Sequence, residues 1–444
     1  MLMSRKGRVV APYYKWLGLA LLMLVGLTNY MDRLSISILQ VPIKADLGLT
    51  DTELGAITGL SFSLVYTFAA LPIARLADLH SPKLIIAISL AVWNAMTILC
   101  GAASGFLALA VLRMGVAIGE AGCGPATQAL LANYFPTHQR GRAIAVWQMV
   151  FPLGTLFGIF FSGMLSAALG WRMTFVVLGG VGLAVVPLVA AFLLDPGRAC
   201  RSDRKAPFAM PGNMRAALRE VLASRAYRLL LVAGFLGAIP LSAALNWNAP
   251  FYGRAFSLPI QQVTYFVALT AGVGGALGMF GGGFASDYLG RRDSRWYCWL
   301  PAIAMAVAPF LASYQYYGAS TPMASLPAGV LGAVLLNCWI PPQAAIAQSL
   351  VRPENRALAA ACILVTAGLG SAVGPFAAGA LSDVFARHLG GEARGLSYAL
   401  PVISLSALPA AWLFLLAGFR LRDDLARSAV AMADGGDRAG KGAI

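Results

Sequence analysis

The chain alternates between apolar stretches of about twenty residues or more and short polar breaks that carry Lys, Arg, Gly and Pro. Bounding the apolar runs at those breaks predicts spans near 15–41, 53–77, 83–101, 105–133, 141–168 and 172–194. A second set follows near 227–253, 261–287, 296–317, 325–350, 356–386 and 396–419. The runs are continuous rather than alternating in ten-residue pieces, so the pattern predicts helices and not a membrane β-barrel. The expected fold is an all-α integral membrane protein of twelve transmembrane helices.

Composition agrees with this reading. Of 444 residues, 59% are hydrophobic and 11% charged, with a mean hydropathy of +0.73, whereas soluble domains run near 25% charged. A net charge of +15 raises the question of nucleic acid. Its placement argues against that partner, because 26 of the 33 Lys and Arg fall on the side that holds both termini and the even-to-odd loops. The positive-inside rule then puts both termini in the cytoplasm of a multi-pass protein, expected in the cell inner membrane. The apolar run behind Arg5, Lys6 and Arg8 continues through Asp32 and Arg33 to Val41, too long for a cleaved signal. The six cysteines are scattered without a C-x-x-C pair, so neither disulfides nor a metal site is expected, and no cofactor is implied.

The two sets of six spans echo each other. Gly154, Gly158 and Gly163 in the fifth span reappear as Gly370, Gly374 and Gly379 in the eleventh, each displaced by 216 positions, and Arg140 maps onto Arg356. Asp78 after the second span answers Asp287 after the eighth. The expected layout is a six-helix bundle over 1–194, a basic cytoplasmic linker over 195–226 with a short amphipathic helix near 213–223, a second six-helix bundle over 227–422, and a disordered cytoplasmic tail over 423–444. Two pseudo-symmetric halves joined by a basic linker suit a rocking-bundle transporter with its site at the midplane.

That pattern resembles the major facilitator superfamily, whose loop signature G-x-x-x-D-x-x-G-R-K/R is met by Gly283, Asp287, Gly290, Arg291 and Arg292. The first copy keeps Asp78 but carries Ala74, Ser81 and Pro82 at the signature's other places. An acidic group at a helix end can pair with a cation on a neighbouring helix. Asp78 with Arg140, and Asp287 with Arg356, are therefore candidate gate latches, the alternative being solvated charges that only fix topology.

Of 18 acidic residues, only Asp32 and Glu120 lie well inside predicted spans, and a carboxylate at that depth is costly enough to need a role. Arg113 lies seven residues before Glu120, about two helical turns and so on one face. Asp32 is flanked by Asn29 and Arg33. Loss of water raises a carboxyl pKa while a nearby guanidinium lowers it, which makes a titratable site; the alternative is a permanent Asp–Arg–Glu network that packs the first half. His80, His138 and His388 all fall in loops, so carboxylates must carry any proton coupling. Arg113 also suits bidentate capture of a phosphate or carboxylate, which favours an amphipathic or anionic substrate.

Within the superfamily, N-Y-M-D-R (Asn29 to Arg33) and R-M-G-V-A-I-G-E-A-G (Arg113 to Gly122) resemble the spinster branch, as do Pro136, Arg140 to Arg142 and the eleventh-span stretch from Gly370 to Asp383. The short loops and tail suggest a bacterial homologue. The resemblance implies export or movement of sphingosine-1-phosphate-like lipids or lysophospholipids, with proton sensing and headgroup contact on Asp32, Arg113 and Glu120. The expected function is proton-coupled secondary transport of such a lipid by alternating access, working as a monomer with protons and membrane lipids as its other partners. The alternative is a general organic-anion or drug exporter. No H-E-x-x-H, nucleophile elbow or G-x-x-x-x-G-K-[ST] occurs, so no enzyme or P-loop pump is expected.

Overall fold

The structure is a computed structural model that describes residues 2–3, 9–10, 13–195, 214–352 and 355–441. Apart from a two-residue antiparallel pairing of Leu2–Met3 with Val9–Val10, its regular elements are helical. Long apolar helices run over Tyr14–Leu47, Asp51–Leu76, Pro82–Cys100 and Phe106–Tyr134, and then over His138–Phe192. The last of these is two spans in series, broken at Gly170, where φ of 78° ends one helix and starts the next. The second set is Arg225–Ala255, Ile260–Gly290, Trp296–Gly318, Pro322–Ser349, Arg356–Leu389 and Glu392–Arg427. The expected twelve spans are all present, because in hydrocarbon only intrahelical bonding satisfies every backbone group.

Local chemistry sets the helix ends. Gly48, at φ 65°, closes the first span, and Thr50 with Glu53 forms a capping box that opens the second. Ser81 caps the third, with Pro82 in its first turn. Large apolar side chains face outward, among them Phe284, Phe310 and Leu107, as expected of a surface whose solvent is lipid.

Two compact units make up the chain, and all their boundaries but the one at 209/210, in the linker, fall inside helices. One gathers residues 1–209 with 243–273 and 375–399; the other holds 210–242, 274–374 and 400–444. The first unit therefore contains the ends of the seventh, eighth, eleventh and twelfth spans as well as the first six.

The glycine echo has a packing meaning in each unit. In the first, a methyl group on Gly154 would sit 2.6 Å from the Tyr30 Cβ, and one on Gly158 would sit 2.8 Å from the Met31 Cα, so the fifth span lies directly on the first. In the second, Gly370 and Gly374 bring the eleventh span onto the Phe235 and Ile239 carbonyls of the seventh. A second echo was invisible to hydropathy: the second and eighth spans both widen into π turns, over Ala56–Leu64 and Ala268–Gly274.

The linker holds a helix at Met214–Val221, with Ala217 and Val221 buried and Arg215 and Glu220 exposed, as amphipathicity predicts. Residues 196–213 lie outside the described residues. The last helix runs over Ala407–Lys441, through part of the stretch expected to be a tail. Buried Asp424 explains where that extension is anchored: it accepts from the Ser224 hydroxyl at 2.7 Å and the Ala226 amide at 2.8 Å, and Arg427 pairs with it at 2.6 Å. Nearby, Arg422 joins Asp293 at 2.8 Å, and the Arg295 backbone amide and the Arg422 guanidinium hold the Asp293 carboxyl below its usual range.

Candidate functional site

The charges that hydropathy singled out come together in the first unit as two ion pairs between the first and fourth spans. Asp32 Oδ2 lies 3.4 Å from Arg113 Nη1, and its other oxygen accepts from the Thr97 hydroxyl of the third span at 2.9 Å. Arg33 grips Glu120 through two nitrogens, Nη2 at 2.8 Å and Nε at 3.2 Å, both to Oε2. Asp32, Arg113 and Glu120 are each at most 2% exposed, and the Arg33 side chain is 25% exposed. Asn29 is buried one turn before them.

The partners differ from those that spacing suggests. Arg113 and Glu120 do share a face, but their rise of roughly 10 Å separates the head groups along the helix. Each is met instead by a first-span residue, Asp32 for Arg113 and Arg33 for Glu120. The expected Asp–Arg–Glu network is thus two crossed pairs, with Arg33 as a full member.

An aromatic wall separates them. The Arg33 guanidinium lies 4.5 Å from the Tyr66 ring centre, 5.1 Å from Phe62 and 5.5 Å from Tyr30, and Arg113 lies 4.9 Å from Phe62. Phe62 therefore sits against both cations, held by the π turn of the second span, a feature that often marks working sites in helices. Thr97, Phe62 and Tyr66 were missed in the sequence; Phe62 and Tyr66 are four apart, a spacing also seen in lipid-facing aromatics.

The pairs do not exhaust the site's bonding capacity. Glu120 Oε1, Arg113 Nε and Asn29 Nδ2 are buried and make no hydrogen bond to the described protein. Removing one partner from a buried pair commonly costs about 3–5 kcal/mol, so each charge holds its opposite in place. Of the dispersed amides, Asn94 and Asn337 donate to carbonyls four residues back on their own helices, Leu90 and Ala333, and Gln343 donates across to the Leu230 carbonyl of the seventh span.

The candidate latches fare differently. The Asp78 side chain lies outside the described residues, and Arg140 donates to the Ala132 carbonyl at 2.9 Å. Asp287 accepts from the Tyr297 hydroxyl at 2.8 Å, and Arg356 is exposed. Among the described residues no ion pair joins Asp287 to Arg356; the hydrogen bond from Tyr297 lies inside the eighth-to-ninth corner. Replacing Tyr297 by Phe should change thermal stability by less than about 1 kcal/mol, checked by a melting curve in detergent, since the bond is exposed.

Twelve long apolar helices with ion pairs buried between the first and fourth are the frame of a membrane transporter. The chain belongs to the Major Facilitator Superfamily, whose profile matches residues 22–375. It is 33% identical over 420 residues to a protein of Mycolicibacterium smegmatis described as an MFS-type efflux pump, covering 94% of this chain and 96% of that one. It is 25% identical over 389 residues to the Drosophila melanogaster protein spinster, covering 84% of this chain and 63% of the fly protein. Its fold matches the crystal structure of a bacterial homologue of the human lysosomal transporter spinster, inward-facing and unoccupied, with a TM-score of 0.83 at 24% identity over 94% of this chain and 99% of that one.

Proposed function

We propose that the chain is a proton-coupled secondary transporter of an amphipathic anion, with a lysophospholipid or sphingosine-1-phosphate-like lipid as the substrate class. The observation that carries this reading is the pair of crossed ion pairs, each made of one titratable carboxylate and one permanent guanidinium, with bonding capacity left on Glu120 and Arg113. Protonation of Asp32 frees Arg113 for an anionic headgroup, and protonation of Glu120 frees Arg33 from the fourth span. Similarity to the fly spinster protein supports the spinster resemblance, and it is that resemblance which implies the lipid class. The positions of the basic loops support an inner-membrane protein with both termini cytoplasmic and two six-helix halves that rock about the site.

Similarity to the mycobacterial efflux pump favours a second reading, a general exporter of organic anions or drugs. A ligand-binding screen on purified protein separates the two. Lysophospholipids and sphingosine-1-phosphate should raise the melting temperature in a concentration-dependent way, and Arg113→Lys should weaken that binding by roughly tenfold, because a bidentate contact becomes a point charge. Stabilisation by unrelated organic anions but by no lysolipid would favour the exporter.

A further inference from the structure

At the end of the first unit away from Tyr14 lies a second charge cluster, which no function described so far uses. Its centre is Asp51, the first residue of the second span and 1% exposed. One carboxylate oxygen meets Lys44 Nζ of the first span at 2.7 Å. The other meets Arg254 Nη1 at the end of the seventh span at 2.7 Å and accepts from the Ser382 hydroxyl of the eleventh at 2.7 Å. The neighbouring Asp383 carboxylate accepts from the Asp51 amide at 3.1 Å, the Thr52 amide at 2.7 Å and the Thr52 hydroxyl at 2.6 Å, and so caps the second span from the eleventh. Glu392, at the start of the twelfth span, reaches Lys44 at 2.9 Å and Arg254 at 3.8 Å.

We propose that Asp51 is the hub of an interlock that holds this end of the transporter shut, joining the first, seventh and eleventh spans to the second. This proposal rests on the transporter reading above but not on its substrate or its protons. Three observations carry it. The partners come from both sequence halves, so a rocking motion that opens this end must break them. The carboxylate is buried and each oxygen is met by a cation, so its loss leaves Lys44 and Arg254 with only the exposed Glu392 carboxylate between them. The packing is close enough to be all-or-none, since a methyl on Gly379 would collide with the Asp51 carbonyl.

A counterweight sits beside the hub. Gln40 is fully buried one turn before Lys44, and neither its amide nitrogen nor its amide oxygen has a hydrogen-bond partner in the described protein. Between Gln40 and the paired charges at Asp32, the Ser37 hydroxyl lies 3.0 Å from the Leu245 carbonyl and 3.1 Å from that of Asn246, both on the seventh span. Opening this end gives Gln40 access to water at the cost of the Asp51 contacts, so the closed state is held by the hub against an opposing tendency rather than by packing alone. Pro42, inside the first span between Gln40 and Lys44, gives the helix a place to bend.

The test is substituted-cysteine labelling without substrate or pH gradient. With the native cysteines replaced, Ser37→Cys reports opening through its reaction with a membrane-impermeant maleimide added from the side of the hub. Asp51→Asn should raise the labelling rate on the order of tenfold, and Arg254→Gln should do the same, each in protein that remains monodisperse. Arg254→Lys should restore slow labelling, because it keeps the charge. Unchanged labelling in both Asp51→Asn and Arg254→Gln would overturn the interlock, whatever the protein transports. If Asp51→Asn does not fold, Arg254→Gln decides alone.

Discussion

Replacing Arg113 by methionine should lower the stability of the purified protein by about 3–5 kcal/mol, the cost of leaving a buried carboxylate with its cation removed. The loss arises because Asp32 is 2% exposed and keeps only the Thr97 hydroxyl as a donor once Arg113 is gone. Adding Asp32→Asn to Arg113→Met should recover most of the loss, since the amide carries no charge to strand. A melting curve for the two singles and the double closes the cycle. Recovery in the double means that the pair is a coupled unit; additive losses would mean that the two residues act separately. Transport should be absent from both Arg113 variants, because stability can be restored without the guanidinium but anion capture cannot.

The second large effect is steric. Gly158→Leu should cost about 3 kcal/mol or more and abolish transport, because its first side-chain carbon would lie 2.8 Å from the Met31 Cα and 3.1 Å from the Met31 carbonyl oxygen. Backbone atoms cannot rotate aside as a side-chain tip can. Met31 directly precedes Asp32 and Arg33, so prising the first span from the fifth also displaces both ion pairs. Gly180→Leu is the matched control: nothing lies within 4 Å of a carbon added there, and the expected change is within about 1 kcal/mol. Melting and uptake measured on both variants distinguish close packing from a general intolerance of bulk.

Hydropathy made the spans legible because lipid leaves a helix no other source of backbone hydrogen bonds. The 216-residue glycine echo was legible because close helix contact demands small residues at fixed depths, and Gly158 and Gly374 make that contact on the first and seventh spans. The buried charges were legible by their cost, since Asp32, Arg113 and Glu120 needed partners wherever the fold placed them. Which partner each would find was not legible. Arg113 and Glu120 share a face, but a face is not a contact, and the choice between them was made by the depth at which the first span crosses the fourth. Arg33, adjacent to Asp32 and pointing about 100° away from it, could reach Glu120 only once that crossing was fixed.

Other features depend on tertiary geometry that no local pattern carries. Phe62, in the π turn, stacks at 6.1 Å on Tyr66 just beyond it, and neither the turn nor the cations they meet leaves a trace in residue spacing. Asp51 occupies a first-turn place that suits an acid whatever else it meets, so its pairing with Lys44 and Arg254 leaves no mark in the local sequence. The contact with Ser382 spans 331 residues, and only the meeting of helix ends in the first unit reveals it. Asp424 is held by Ser224 and Ala226, 200 and 198 residues away, which no local pattern signals.

The most direct measurement is solute flux with a pH-sensitive dye inside proteoliposomes. A lysophospholipid added to liposomes holding the wild-type protein should move across the bilayer with a matching proton signal, and the flux should saturate and depend on pH. Glu120→Gln, which keeps the shape of the side chain but cannot take up a proton, should lose both the proton signal and the pH dependence. Wild-type lipid flux without any proton movement, or pH dependence retained in both Glu120→Gln and Asp32→Asn, would contradict the account.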